Sequence, residues 1–494
     1  MGIIYSPIAL TISAFIMGLS HQPLGLGALA WFGLLPLIFV YNRIIKLKDF
    51  IITGFIWGFV YYFTIIFWLA NNIGTTAIIG LISMLAAVCF LSLNMIALSI
   101  ILYFIKSKYP RSWFSFFPML WISMEYVRGF GSLAFPWTSL ANTQIDFLTL
   151  IQNAEITGMY GISFWIVLIN ILLFYYIVFP FRKNFIVVLL VFAIPWCTGK
   201  WLTPSISKQG KSILNAAVIQ PNIHLTEKWK SGSEYKNIKS LLELSNIAVS
   251  NDIDLIVWPE TSISKYILQD DDYYLKWIQS TLNNSALIAG IQYFSSEKEQ
   301  IQYYNSAVRI KSDSIGPVYH KLHLVPMAEY IPLSTYFSSL KELNLGQANF
   351  TSGNEYTIMD IQGVSCAVMI CFESTFPNIS REFVKNGAEV LIYVVNDGWY
   401  ENPPEPQQHA KQSIYRAIET RRPVIRCANT GISMIVDASG NISHQLPLNK
   451  KGIIEATIQI KNKTTFYTQY GDIFSQLNVL ASLLLLVFPI RRKK

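Results

Sequence analysis

The feature that most limits this chain is the series of apolar blocks that fills its first 200 residues. Tyr5 to Ser20, Leu26 to Tyr41, Ile51 to Ala70, Ala77 to Ile105, Ser112 to Val127, Ile162 to Val178 and Phe185 to Cys197 follow one another across short polar joints, and Phe474 to Ile490 adds a last block. About 20 apolar residues in helical form cross the hydrocarbon of a bilayer, and shorter or longer stretches adapt by packing and tilt. Lipid offers no water to backbone amides, and continuous rather than alternating apolarity satisfies them as helix. The expected architecture is a polytopic α-helical membrane domain of about eight spans. Charge agrees with this, since Asp, Glu, Lys and Arg make up only 14% of the chain against roughly 25% in soluble domains. The shortage is confined to the apolar blocks. The sequence therefore divides into residues 1–199 with seven helices, a soluble domain over 200–469, and a last helix with a basic tail over 470–494.

The joints orient these spans. "NRIIKLKD", "KSKYPRS", "FRKN" and the terminal "RRKK" fall on one side and are basic, whereas "HQPLG" and "NNIGTT" on the other carry no Lys or Arg. The positive-inside rule makes both termini cytoplasmic and puts the soluble domain on the exported side of the membrane. The four basic stretches hold twelve Lys and Arg against Asp49 alone, which exceeds the whole-chain formal charge of +8. No basic surface is left to argue for nucleic acid. The opening "MGIIYS" fits an acylation pattern, but one acyl chain adds little to several spans. The first apolar run lacks a basic n-region and reads as a retained helix.

The soluble segment alternates strands and helices. "ILNAAVIQ", "DLIVWPE", "ALIAGIQYF", "YNSAVRI", "VSCAVMIC", "EVLIYVVND", "VIRCANTGISMIVDASG" and "IIEATIQI" read as strands. "EYKNIKSLLELSNIAVS", "DYYLKWIQSTLNN", "NISREFVKNG" and "EPQQHAKQSIYRAIETRR" read as helices. Strands this apolar need helices on both faces, which predicts a layered α/β sandwich with its chemistry at the carboxyl ends of strands. Three residues stand there or in nearby loops: Glu260 after "LIVWP", Lys321 in "YHKLHLVPMAEYIP" and Cys371 at the end of "VSCAVMIC". Each has an ordinary reading as core thiol, strand-end acid or solvated lysine. Together they suit acyl transfer. A free thiol needs help to become a thiolate; Glu260 can take its proton, and Lys321 can pair with that carboxylate and then with a developing oxyanion. A helix starting around Ser374 or Thr375 is expected to bring its positive end to the sulfur.

Cys89, Cys197, Cys366, Cys371 and Cys427 show neither metal spacing nor an even disulfide set. Cys366 and Cys371 lie on opposite faces of one strand, which argues against pairing them. His320 and His323 lack a third ligand at a characteristic spacing, so neither metal nor cofactor is expected.

"WPE", then "HKLHLVPMAEYIP", "ICFE" and "VVNDGW", in this order, resemble the nitrilase (carbon–nitrogen hydrolase) superfamily. With "LAWFGLLPL", "EYVRGFGSLAFPW" and "QPNI" in a polytopic chain, the sequence looks like the bacterial apolipoprotein N-acyltransferases over nearly its full length. That resemblance implies a nitrilase-like α/β domain, a layered α-β-β-α sandwich, with Glu260 as base, Lys321 as stabiliser of the tetrahedral intermediate and Cys371 as the nucleophile acylated by phospholipid. It also implies that Glu329 orients the lysine, that Glu373 supports the nucleophile, that Trp229 rides an arm over the site and that Trp137 lies near the membrane surface. This chain has Phe372 where many members carry Tyr, and "NDGWY", with Trp399, where "NDTWF" is commoner.

The bilayer adds a separate reason. Drawing a sixteen-carbon chain into water would cost on the order of 12 kcal/mol, so an enzyme using such a donor must go to the lipid. The triad is then expected to face a lipid-accessible cleft, with Glu125 and Arg128 either shaping the entry or forming a structural ion pair. The expected reaction is ping-pong, from a phospholipid through a Cys371 thioester to the α-amine of a diacylglyceryl apolipoprotein. The bilayer and these two substrates are the expected partners, and monomer is the default state. The alternatives are a membrane-tethered amidase or nitrilase-type hydrolase, which needs no multi-span lipid entry, and a transporter or scaffold, which needs no intact triad.

Overall fold

The computed structural model describes residues 7–203, 212–249, 252–270, 272–297, 300–332, 334, 348–400, 402–461 and 463–487. The chain forms two compact units, Met1–Thr203 with Tyr470–Lys494, and Pro204–Gln469. The tail Arg491 to Lys494 and the opening "MGIIYS" lie outside the described residues.

The first unit is helical. Leu47–Asn71, Ala77–Lys108, Met159–Val178 and Arg182–Leu202 are long and apolar enough to cross a membrane, while Pro7–Leu19, Gly27–Arg43 and Ile473–Val487 are shorter. The expected count of eight is thus met in length by four of the described helices. Two expected spans are interrupted: Leu26 to Tyr41 becomes a 3₁₀ turn, Gly27–Trp31, followed by Leu35–Arg43, and Ser112 to Val127 becomes Trp113–Phe116 followed by Phe117–Val127. Pro36 and Pro118 stand in the first turn of the later helix in each case, the position where a missing N–H costs nothing. Ile78, Leu190 and Leu483 turn outward while Trp57, Tyr61 and Trp121 fill the interior, the reverse of a water-soluble bundle. Glu125 and Arg128 are both buried. Glu125 accepts from Trp121 Nε1 and the Leu140 amide, both at 2.9 Å, and Arg128 donates to the Tyr62 hydroxyl at 2.8 Å.

The second unit is built on two six-stranded sheets. The strands are β1 Ser212–Gln220, β2 Leu255–Val257, β3 Ala286–Glu297, β4 Gln300–Ile310, β5 Ile315–His320, β6 Ile358–Ile361, β7 Val364–Ile370, β8 Val390–Val395, β9 Val424–Ala428, β10 Ser433–Val436, β11 Ile442–Leu446 and β12 Gly452–Ile460. One sheet runs β12-β1-β2-β3-β4-β5 and the other β11-β10-β9-β8-β7-β6. The run "VIRCANTGISMIVDASG", expected as a single strand, bends back on itself to give β9 and β10, which pair antiparallel. Each sheet has a parallel centre, β1-β2-β3 and β7-β8-β9.

Helix Glu234–Val249 packs Ile238, Leu241 and Leu242 onto Ala217, Ile219 and Trp258 of the first sheet. Helices Pro377–Lys385 and Glu405–Thr420 cover the second. Between the sheets, the Cys427 thiol on β9 lies 3.3 Å from the carbonyls of both Ile219 and Val257. Helix, sheet, sheet and helix thus form four layers, the arrangement in which internal strands are apolar throughout; β8 is buried at every position.

Candidate active site

The parallel strands β2, β7 and β8 all deliver their carboxyl ends to one region, where polar residues can stand free of the sheet. β2 stops at Val257; the Trp258 amide still donates to the Ile288 carbonyl of β3 at 2.8 Å, and Pro259, with no amide hydrogen, ends the ladder there. The Glu260 backbone then lies flat against β3. At Gly290 a Cβ would come within 2.6 Å of Glu260 Cα and of the Pro259 carbonyl, so only glycine admits this approach. Buried Lys228 fixes the segment from another side, donating to the Glu260 carbonyl at 3.0 Å and to Thr261 Oγ1 at 2.7 Å. Burial lowers this lysine to about 8, against the pull of Glu260. The neighbouring Trp229 ring stacks over the same ammonium at 5.7 Å and is itself 42% exposed.

Lys321 follows β5 and is buried. Its Nζ lies 2.9 Å from Glu329 and 3.8 Å from Glu260 Oε1. Asn305 Nδ2 bridges the two carboxylates, at 2.7 Å to Glu260 and 2.9 Å to Glu329, and Glu329 Oε2 also accepts from the Val325 amide. Burial works against the charge on Lys321, but Glu329, Glu260 and Cys371 outweigh it and hold the lysine protonated. Burial raises Glu260, with Lys321 opposing and Glu329 reinforcing, so it is a stronger base than a free carboxylate.

Cys371 stands directly after β7 with φ at +51°, a conformation that residues with a Cβ avoid. It opens a single 3₁₀ turn, Cys371–Thr375, and the helix proper begins only at Pro377. The expected helix start at Ser374 or Thr375 is thereby corrected: Pro377 is favoured in the first turn of a helix and sets the start there. Burial, then Glu260, push the thiol well above its ordinary value while Lys321 pulls it down. The resting state is a thiol that must hand its proton to a base. The residue keeps partial exposure. No disulfide joins Cys366 to Cys371; both are free.

Glu373 is fully buried and accepts from the amides of Ile370 (2.7 Å), Leu322 (2.7 Å) and His323 (3.1 Å) and from the Tyr319 hydroxyl (2.7 Å). It ties the turn holding Cys371 to the loop holding Lys321. Burial raises it to about 7, against the Ile370 amide and Tyr319. A carboxyl raised from 4.5 to about 7 binds its proton more tightly in the folded chain than in the unfolded one. Its protonation favours the fold below about pH 4.5, and that contribution disappears as pH rises through 7. Glu373→Gln, which cannot titrate, should therefore show a flatter thermal midpoint than the unsubstituted protein between pH 5 and 7; parallel curves would contradict this assignment.

Glu260, Lys321, Glu329, Cys371 and Glu373 thus form one cluster. Trp229 joins it through Lys228. Trp399 ends a 3₁₀ turn after β8 and is 40% exposed. Trp137 belongs to the helical unit, buried against Trp68 and Phe135. Phe372 packs edge-on against Phe376. Sequence reasoning did not single out Lys228, Asn305, Asp397, His409 or Arg426. Asp397 accepts from Arg426 Nη2 at 2.8 Å and meets His409 Nδ1 at 2.7 Å, and His409 Nε2 lies 3.1 Å from the Cys371 carbonyl. Asp397, Glu405 and His409 bring three potential ligand atoms within 4.8 Å, but Arg426 already supplies the cation that Asp397 needs. The strand-end "ND", Asn396 and Asp397, was the available signal, and it reached Asp397 only.

A partly exposed thiol beside a carboxylate of raised basicity and a fixed ammonium can attack an electrophilic carbonyl. The carbon–nitrogen hydrolase family matches residues 215–465, and the apolipoprotein N-acyltransferase N-terminal domain matches residues 13–172. An apolipoprotein N-acyltransferase of Geobacter metallireducens is 31% identical over 98% of this chain and 95% of its own. Those of Chlorobaculum tepidum (27% identical, 98% and 96%) and Thermotoga maritima (29% identical, 95% and 91%) are similar over comparable spans. Among solved structures, a carbon–nitrogen hydrolase from Helicobacter pylori G27 matches with a TM-score of 0.39 at 20% identity, covering 57% of this chain and 95% of that one.

Proposed function

This chain belongs to the apolipoprotein N-acyltransferase family, and we propose that it moves an acyl chain from a phospholipid to the N-terminal α-amine of a diacylglyceryl apolipoprotein, by way of a thioester on Cys371. The observation that carries the mechanism is the buried ammonium of Lys321 set between Glu329 and Glu260, all three acting on the Cys371 thiol. In the first half-reaction Glu260 takes the thiol proton and the sulfur attacks the ester carbonyl. Lys321 faces the oxyanion, and collapse breaks the ester C–O bond, with the lysophospholipid oxygen leaving protonated. In the second, the acceptor amine attacks the thioester, gives up a proton to Glu260, and the amide forms as the thiol is restored. Water competes at the thioester stage, and Trp229 restricts it in this reading, supported by its ring lying over Lys228.

The spans 47–71, 77–108, 159–178 and 182–202 support residence in the inner membrane, where both substrates lie. Cytoplasmic termini and an exported catalytic domain follow from the basic joints. The protein works as a monomer without cofactor. Incubating the purified full chain with phospholipid and weighing it tests the reading. An acyl mass on Cys371 that persists without acceptor, and moves to a diacylglyceryl peptide when one is added, is expected. An adduct lost rapidly to water would make the protein a hydrolase, and no adduct would remove the thioester altogether.

A further inference from the structure

His409 lies on the buried side of the Glu405–Thr420 helix. Its Nδ1 is 2.7 Å from Asp397 Oδ1 and its Nε2 is 3.1 Å from the backbone carbonyl oxygen of Cys371. Both oxygens only accept. A carbonyl has no proton, and Asp397 is ionised: burial alone would raise it, but Arg426 and His409 together hold it below the usual carboxylate range. A neutral imidazole carries one N–H and can serve one of these acceptors; the imidazolium serves both. Burial and Arg426 lower the ring below the ordinary histidine value, against Asp397 and the Cys371 carbonyl; the second N–H is inferred from the geometry, two acceptors at hydrogen-bond distance on opposite ring nitrogens.

The groups facing the ring come from three directions: Asp397 from the turn after β8 with Arg426 of β9 behind it, the Cys371 carbonyl from the turn after β7, and Glu405 Oε1 at 3.6 Å on its own helix. Glu405 is held neutral by burial and by Asp397, and its Oε2 is buried with no hydrogen-bond partner. Arg426, Asp397 and His409 then leave one positive charge behind the nucleophile. Gly431 makes the arrangement possible, since a Cβ there would fall 2.1 Å from Asp397 Oδ2.

We propose that His409, doubly protonated, is a positioning residue for the nucleophile: its Nε2–H holds the Cys371 carbonyl, pins the left-handed backbone that aims the thiol, and sets a cation behind it. This rests on Cys371 being the nucleophile. His409→Gln keeps an N–H for the carbonyl but cannot carry charge. In the full chain, the pH profile of Cys371 alkylation by iodoacetamide is expected to move upward by about one unit in this variant, and thioester formation at pH 7.5 to fall roughly tenfold. A profile and rate within twofold of the unsubstituted protein would overturn the proposal. Should the variant fail to fold, ¹⁵N spectra of the unsubstituted, histidine-labelled chain in bilayers decide. One of its six histidines is expected to remain doubly protonated at pH 7.5, and six neutral rings would end the proposal. Absence of any thioester in the unsubstituted protein would instead remove the acyl-transfer reading, while the alkylation profile and the spectra still judge His409.

Discussion

Cys371→Ala abolishes both the acyl adduct and transfer to a diacylglyceryl peptide, an expected loss of at least about 10⁴-fold, comparable to removing the nucleophile from other covalent enzymes. No other thiol in the soluble unit can take over. Cys366 is buried within β7 and Cys427 points at two carbonyls, and burial holds both thiols far above their ordinary value. Ser374, on the same turn, is fully buried. The substitution leaves the backbone demand unchanged, because Ala and Cys meet the same steric objection to a φ of +51°. A folded, inactive protein is therefore expected. Mass analysis after incubation with phospholipid, alongside a melting curve, checks both parts; residual transfer above a hundredth of normal would remove Cys371 from its role.

Lys321→Ala is expected to cost more than the roughly 10² to 10³ in rate of a single lost oxyanion donor. Glu260 and Glu329 share Asn305 and have Lys321 Nζ between them. Without the ammonium, two buried carboxylates face each other, and one must take up a proton. If that one is Glu260, the base is lost together with the oxyanion partner. Breaking a buried pair by removing one member also destabilises, typically by about 3–5 kcal/mol. The rate of thioester formation and the thermal midpoint should fall together. A variant that forms thioester within tenfold of normal would show that this lysine neither stabilises the oxyanion nor keeps Glu260 ionised.

The central strands were legible in the sequence and three edge strands were not, for one physical reason. β2, β8 and β9 are buried at every position, and Val, Ile, Leu and Ala dominate them and most of β1 and β7. β5, β6 and β11 each sit at the rim of a sheet, and "IGPVYH", "IMDI" and "ISHQL" carry Gly, Pro, Asp or His because one face or one edge meets solvent. The run 424–440 looked like a single strand because both arms of a hairpin are equally buried, and the turn between them contributes only Asn429, Thr430 and Gly431 as punctuation.

At the site, Glu260, Lys321 and Cys371 were legible because each stands where a strand gives way to a loop. Asp397 was within reach by the same rule, at the end of β8. His409 was not, since a histidine among the polar residues of "EPQQHAKQ" reads as solvated until the packing of that helix is known. Helix counting in the first unit was limited in another way. Hydropathy reports where lipid can be met, not where a proline restarts a helix, and both interrupted spans restart at one.

The contact between Gly290 and the Glu260 backbone limits which sequences this centre can tolerate. Position 290 supplies no atom to any reacting group, and its strand is otherwise ordinary core. Yet a single methyl there would meet the Glu260 α-carbon and the Pro259 carbonyl and force that backbone to move, so the hydrogen atom on that α-carbon is as hard to substitute as the carboxylate it makes room for.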